Sequence, residues 1–160
     1  MYTARDRYLL AVIALCLLGG SVGGRAGELI VRGSSRSERV EPGRRDRELA
    51  VASAAAYGRI EVRASRKGGT VGRWHLEVTV DHAQLPAGAR LWIRRTTDGE
   101  GEGRVEDGGT YQRCVAGTTV WFSGEGERRD IHFQYRVDGM SATTPAADYA
   151  ATLIITLVEE

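Results

Sequence analysis

The stretch Trp74-His75-Leu76-Glu77-Val78-Thr79-Val80-Asp81 decides the fold. Trp74, Leu76, Val78 and Val80 fall on one side, and His75, Glu77, Thr79 and Asp81 on the other. That period of two belongs to a half-buried β-strand. Residues 130–137 repeat it, with Ile131, Phe133, Tyr135 and Val137 opposed to Asp130, His132, Gln134 and Arg136. Residues 59–64 do the same around Ile60 and Val62. Helical spacing of apolar residues is almost absent beyond residue 26.

Outward from these runs, weaker strands are expected at 28–32, 48–53, 90–96, 111–115, 118–123 and 149–158. The last alternates Ala151, Leu153, Ile155 and Leu157 with Thr152, Ile154, Thr156 and Val158, so apolar residues on both sides predict burial of both faces. Turn material separates the runs: Lys67-Gly68-Gly69, Leu85-Pro86-Ala87-Gly88, Asp107-Gly108-Gly109, Gly124-Glu125-Gly126 and Asp138-Gly139. Eight or nine strands without crossover helices define an all-β, antiparallel sandwich or barrel. The alanine-rich residues 47–57 suit a short helix or a strand equally. The polar residues 33–47, rich in Ser, Arg and Glu, read as a mobile loop.

The N-terminus carries a different signal. Arg5 and Arg7 precede the apolar run Tyr8 to Leu18, and small residues lead to Gly24-Arg25-Ala26. A basic start, a short apolar middle and a small-x-small end make a secretory signal peptide, helical in its apolar part. The run is shorter than the roughly 18 apolar residues that a membrane anchor needs. Residues 1–26 are therefore expected to be cleaved, with a cut after Gly23 as the alternative. Residues 27–160 form a single domain that is secreted, periplasmic or at the cell surface, with no stable membrane span. Ile13-Ala14-Leu15-Cys16 resembles a lipoprotein box except for Leu15. Removal of Cys16 leaves Cys114 alone, which rules out a disulfide framework in the domain and predicts a buried, inert thiol.

The chain has 160 residues and a net charge of +1, and Lys67 is its one lysine. The arginines are interleaved with acids, as in Arg44-Arg45-Asp46-Arg47-Glu48, which argues against nucleic acid as a partner. Residues 27–73 hold eleven basic and six acidic side chains, and residues 74–160 hold eight and fourteen. That asymmetry favours head-to-tail contact between copies.

The ending Thr144-Pro145-Ala146-Ala147-Asp148-Tyr149, followed by an alternating strand, resembles that of secreted pilin-like sandwiches such as spore-coat-U-type and chaperone–usher-type subunits. Ala147 stands where those proteins usually have glycine, and their cysteine pair is missing. The resemblance covers about twenty residues. It implies an immunoglobulin-like sandwich and a part in surface assembly, with Tyr149 hydrogen-bonding back across the corner.

Catalytic motifs are missing from the sequence. There is no G-x-S-x-G elbow, and the Gly-rich stretches neither follow a buried parallel strand nor open a helix. No enzyme, cofactor or metal is expected. His75, His82 and His132 lack the spacing that preorganises ligands, although His75 and His132 could meet if their strands paired. The segment Asp98 to Gly109 has acids at positions one, three, five and nine of a calcium loop, but glycine at the closing position, so it reads as a charged hairpin loop. Among the tryptophans, Trp74 is expected in the core, Trp121 is ambiguous, and Trp92 has the parity of an exposed platform for sugar rings. The function expected is structural or adhesive, with copies of itself or other surface proteins as partners. The alternative is a module binding carbohydrate or a divalent metal through Trp92 or the 98–107 loop.

Overall fold

The computed structural model describes residues 13–21, 28–33, 49–52, 57–63, 72–141, 144 and 149–160. They form twelve strands and no helix: β1 (Ile13–Ser21), β2 (Glu28–Gly33), β3 (Leu49–Ala52), β4 (Gly58–Arg63), β5 (Arg73–Gln84), β6 (Arg90–Arg95), β7 (Glu100–Gly101), β8 (Val105–Glu106), β9 (Gln112–Cys114), β10 (Gly117–Glu125), β11 (Arg128–Met140) and β12 (Tyr149–Glu159). All nine strands expected beyond residue 27 are present. The additions are β1 and the two-residue β7 and β8.

Two sheets result. One runs β1-β12-β5-β10-β8, and the other runs β2-β4-β11-β6-β9 with β3 and β7 also on β11. Pairing is antiparallel between all named strands except β1, which runs parallel to β12 from Ile13 opposite Tyr149 to Ser21 opposite Leu157. Where the expected signal helix falls on described residues, at Ile13–Ser21, the chain is a strand instead. Residues 1–12 and the expected cut region 22–27 lie outside the described residues. Residues 150–158 of β12 carry no charge and no proline, and such an edge accepts any extended apolar segment. Residues 34–47 of the expected loop, 53–56 of the alanine-rich stretch and Pro145 to Asp148 lie outside the described residues, while Leu49–Ala52 is strand.

The alternation read from the sequence builds the core. Trp74, Leu76, Val78, Leu153, Ile155 and Leu157 of one sheet face Ile60, Val62, Leu91, Ile93, Ile131, Phe133, Tyr135 and Val137 of the other, all at most 5% exposed. Ring contacts tie the layers, with Trp121 of β10 edge-on to Phe133 of β11 at 5.8 Å. Aromatic pairs in this geometry contribute about 0.5–1.5 kcal/mol beyond the area they bury.

Two departures from strict alternation matter. In β10, Val120 lies opposite Glu77 and Phe122 opposite Leu76, so Trp121 is the extra residue of a β-bulge. The bulge turns Trp121 and Phe122, adjacent in sequence, both into the core. In β12, Ala151, Leu153, Ile155 and Leu157 are buried, but Thr152, Ile154, Thr156 and Val158 are only half-buried. The expectation of two buried faces is corrected: no layer among the described residues packs on the outer side of this sheet.

Candidate binding face

The outer face of the second sheet carries a cluster with chemistry beyond packing. Strand β6 buries Leu91 and Ile93, which turns Arg90, Trp92 and Arg94 outward. Strand β11 sets Gln134 opposite Arg94, Arg136 opposite Trp92 and Asp138 opposite Arg90. On the other flank of β6, Arg113 of β9 stands opposite Trp92. Tyr111, just before β9, completes the group. Cross-strand neighbours on one face lie about 4.5–5.5 Å apart, so these side chains are within reach of one another.

Asp138 is the anchor. It is 4% exposed. Its carboxylate accepts from Arg90 Nε at 2.7 Å and from an Arg136 terminal nitrogen at 2.8 Å. Burial alone would raise the Asp138 carboxyl. Interaction with the Trp92 indole, the Arg90 hydrogen bond and the charges of Arg90 and Arg136 outweigh it and hold the group below the usual carboxylate range. The Trp92 N–H acts on this carboxylate without the alignment of a full hydrogen bond. The arginines cover Asp138 locally, and their own side chains remain 38% and 41% exposed.

Beside this anchor, Arg94 Nε donates to Gln134 Oε1 at 2.6 Å. The Arg94 guanidinium lies 4.7 Å from the centre of the Tyr111 ring, and that of Arg136 lies 5.7 Å from it. A tyrosine flanked by two guanidiniums holds them at fixed spacing by cation–π attraction. Arg113 is exposed. Four arginines against one carboxylate make a net-positive platform that includes two aromatic rings, with Arg90, Arg94 and Arg136 held by the contacts above. Planar guanidinium forks recognise carboxylate, sulfate or phosphate bidentately, and less entropy is lost when they are already held in place.

The other candidate residues are dispersed. His75 lies on β5 in the first sheet and His132 on β11 in the second, so the two histidines are not brought together. His75 Nε2 is 3.5 Å from Glu77 and its Nδ1 3.4 Å from Glu160. For His82 the backbone alone is described; it pairs with Thr152. Among the described residues, no group of three or more His, Cys, Asp or Glu is gathered to hold a metal ion.

The Asp98 to Gly109 segment is divided between the sheets. Glu100 and Gly101 pair with Arg129 and Arg128 of β11, whereas Val105 and Glu106 pair with Gly124 and Ser123 of β10. Asp98 forms an ion pair with Arg95, and Arg95 also donates to the Asp107 carbonyl at 2.7 Å. A chain pulled to two sheets does not wrap its carboxylates around one centre. Cys114 lies opposite Leu91 and is half-buried rather than fully buried. Burial still pushes its thiol up to about 12.

Trp74 is core as expected, donating from Nε1 to the Gly126 carbonyl at 2.8 Å. Trp121 joins it there, leaving half-exposed Trp92 on the outer face. The arginine cluster around Trp92 was missed in the sequence. Arg90, Trp92 and Arg94 share a parity, which was a usable signal, but Arg113, Arg136 and Tyr111 join them only through strand pairing.

The fold and this face define an all-β protein of two facing sheets with a preorganised cationic and aromatic surface. No protein-family model matches the chain, and no curated protein is similar to it. Among the described residues no helix is long and apolar enough to cross a membrane.

Proposed function

We propose that this chain is a secreted, non-enzymatic, immunoglobulin-like β-sandwich with a structural or adhesive role at the cell surface, and that it adheres to an anionic partner through the face around Trp92. The observation that carries this reading is Tyr111 flanked by Arg94 and Arg136, beside a carboxylate that locks Arg90 and Arg136 in place. The support for secretion is the N-terminal pattern of basic residues, short apolar run and small residues. The support for surface assembly is the resemblance of the chain's ending to those of pilin-like subunits.

Two measurements test the reading. Intact mass of the exported protein is expected to place its first residue at Gly27 or Gly24, and a chain that keeps Met1 would remove secretion. Retention on immobilised dextran sulfate is expected to weaken at least tenfold in Arg94→Glu/Arg113→Glu, with salt weakening it further. Equal retention of the variant and the natural protein would remove the face.

The runner-up, a carbohydrate-binding module, draws on the same Trp92. The arginines favour an acidic sugar over a neutral one, and a glycan array separates the two.

A further inference from the structure

We infer that the anionic partner of the Trp92 face is a second copy of this chain, which docks through its glutamate-rich end. This rests on the reading of that face as an anion-binding surface and names its partner. The acidic end is assembled by three backbone ties. Gly126 N donates to Gly72 O at 2.9 Å, Glu125 N to Arg104 O at 2.9 Å, and Glu160 N to Arg73 O at 3.0 Å. These ties gather the start of β5, the ends of β10 and β12, and the link between β7 and β8. The end presents Glu100, Glu102, Glu106, Glu127 and Glu160, all exposed. Glu100, Glu102 and Glu127 line one shallow hollow together with Arg129. Four arginines share this end: Arg73 is paired with Glu125, Arg129 stands 4.0 Å from Glu61, Arg128 is buried and donates to the Gly103 carbonyl, and Arg104 is exposed. The five exposed glutamates still outnumber them.

The two surfaces cannot meet within one molecule. Arg128 of β11 pairs at the acidic end, and Arg136, eight residues further along that strand, sits at the centre of the arginine cluster. At about 3.3 Å per residue the separation is about 26 Å, beyond the reach of any side chain. The complement of the basic face is therefore displayed on the same chain but out of its own reach, where another copy can use it. The contact joins two different surfaces, so it is heterologous and propagates head to tail instead of closing as a two-fold dimer. The sequence asymmetry between residues 27–73 and 74–160 is not its source. The arginines of the face lie between 90 and 136, inside the more acidic half, and the fold segregates the charge.

Sedimentation of the exported protein at about 0.01 M and about 1 M salt is the test, since the Debye length falls from about 30 Å to about 3 Å across that range. Self-association is expected at low salt and at least tenfold weaker at high salt. Arg94→Glu/Arg113→Glu alone and Glu102→Arg/Glu127→Arg alone are each expected to remain monomeric. A chain carrying all four substitutions regains association, because the charges are exchanged and the surfaces are complementary again. Regained association also shows that neither pair merely unfolds the domain.

Association that both pairs leave intact, or that the four-fold variant does not regain, overturns the inference. So does a natural protein that stays monomeric at low salt. If that monomer still binds dextran sulfate through Arg94 and Arg113, the partner is a foreign polyanion and the reading of the face survives. Loss of both behaviours removes the face as well.

Discussion

Arg90 donates from Nε to Asp138 Oδ1 at 2.7 Å, joining neighbouring β6 and β11 on the outer side of a sheet whose inner side buries Leu91, Ile93, Tyr135 and Val137. Asp138 is thereby both a structural tie and the element that sets the arginine platform.

The depressed Asp138 pKa has a definite consequence for stability. A carboxyl whose pKa is lower folded than unfolded contributes stability that is fully present above its unfolded value, about 3.9. That contribution is lost as pH falls through the depressed folded value. Asp138→Ala is expected to cost about 1–3 kcal/mol at neutral pH, because two guanidiniums lose their acceptor. Urea denaturation of the natural and variant proteins at pH 7 and pH 2.5 checks it, and the gap should narrow at the lower pH. A gap that is constant with pH points to packing instead.

Cys114 should react slowly with thiol reagents near pH 8 in the folded protein, because burial raises its pKa to about 12 and the thiolate is the nucleophile. Labelling should accelerate with urea along the unfolding transition. Fast labelling without denaturant would show that the half-buried sulfur is open to solvent.

Gly124 lies opposite Trp74 across the β10–β5 pair, and a β-carbon there would collide with the Trp74 ring. The ring is held by its bond to Gly126 and cannot easily withdraw. Gly124→Ala should therefore destabilise the fold by about 1–3 kcal/mol, as overpacking of a filled core does. Thermal melts followed by tryptophan fluorescence measure it, and an unchanged melting temperature contradicts the packing described here.

Trp121 and Trp92 should separate cleanly. Trp121→Ala removes a core side chain and should cost about 3–5 kcal/mol. Trp92→Ala removes a half-exposed one and should cost clearly less, while weakening retention on dextran sulfate. Equal destabilisation by both would place Trp92 in the core.

Calcium should leave the melting temperature unchanged. The 98–109 segment divides between two sheets, and its first carboxylate is engaged by Arg95. A millimolar site at ten-millimolar calcium would add about 1.4 kcal/mol, which raises the melting temperature by several degrees. A rise of that size, abolished by Asp98→Ala, reverses this assignment.

The sequence by itself determined the strands and their inward residues, because burial on one face leaves a period-two record that needs no knowledge of neighbours. Trp74, Leu76, Val78, Ile131, Phe133 and Tyr135 were legible for that reason, as was the outward parity of Trp92. It could not show where the period breaks. The bulge that turns Trp121 inward beside Phe122 depends on the register between β10 and β5, a relation between residues over forty positions apart.

Strand order was equally hidden. Only pairing could send His75 and His132 to different sheets, draw the two halves of the 98–109 segment apart, and lay Ile13–Ser21 along β12. Backbone hydrogen bonds carry no side-chain code for their partner, so an apolar run does not name the strand it lies against. The binding face belongs to the same class: Arg90, Arg94, Tyr111, Arg113, Arg136 and Asp138 are scattered in sequence, and they become one charged surface only where β9, β6 and β11 lie side by side.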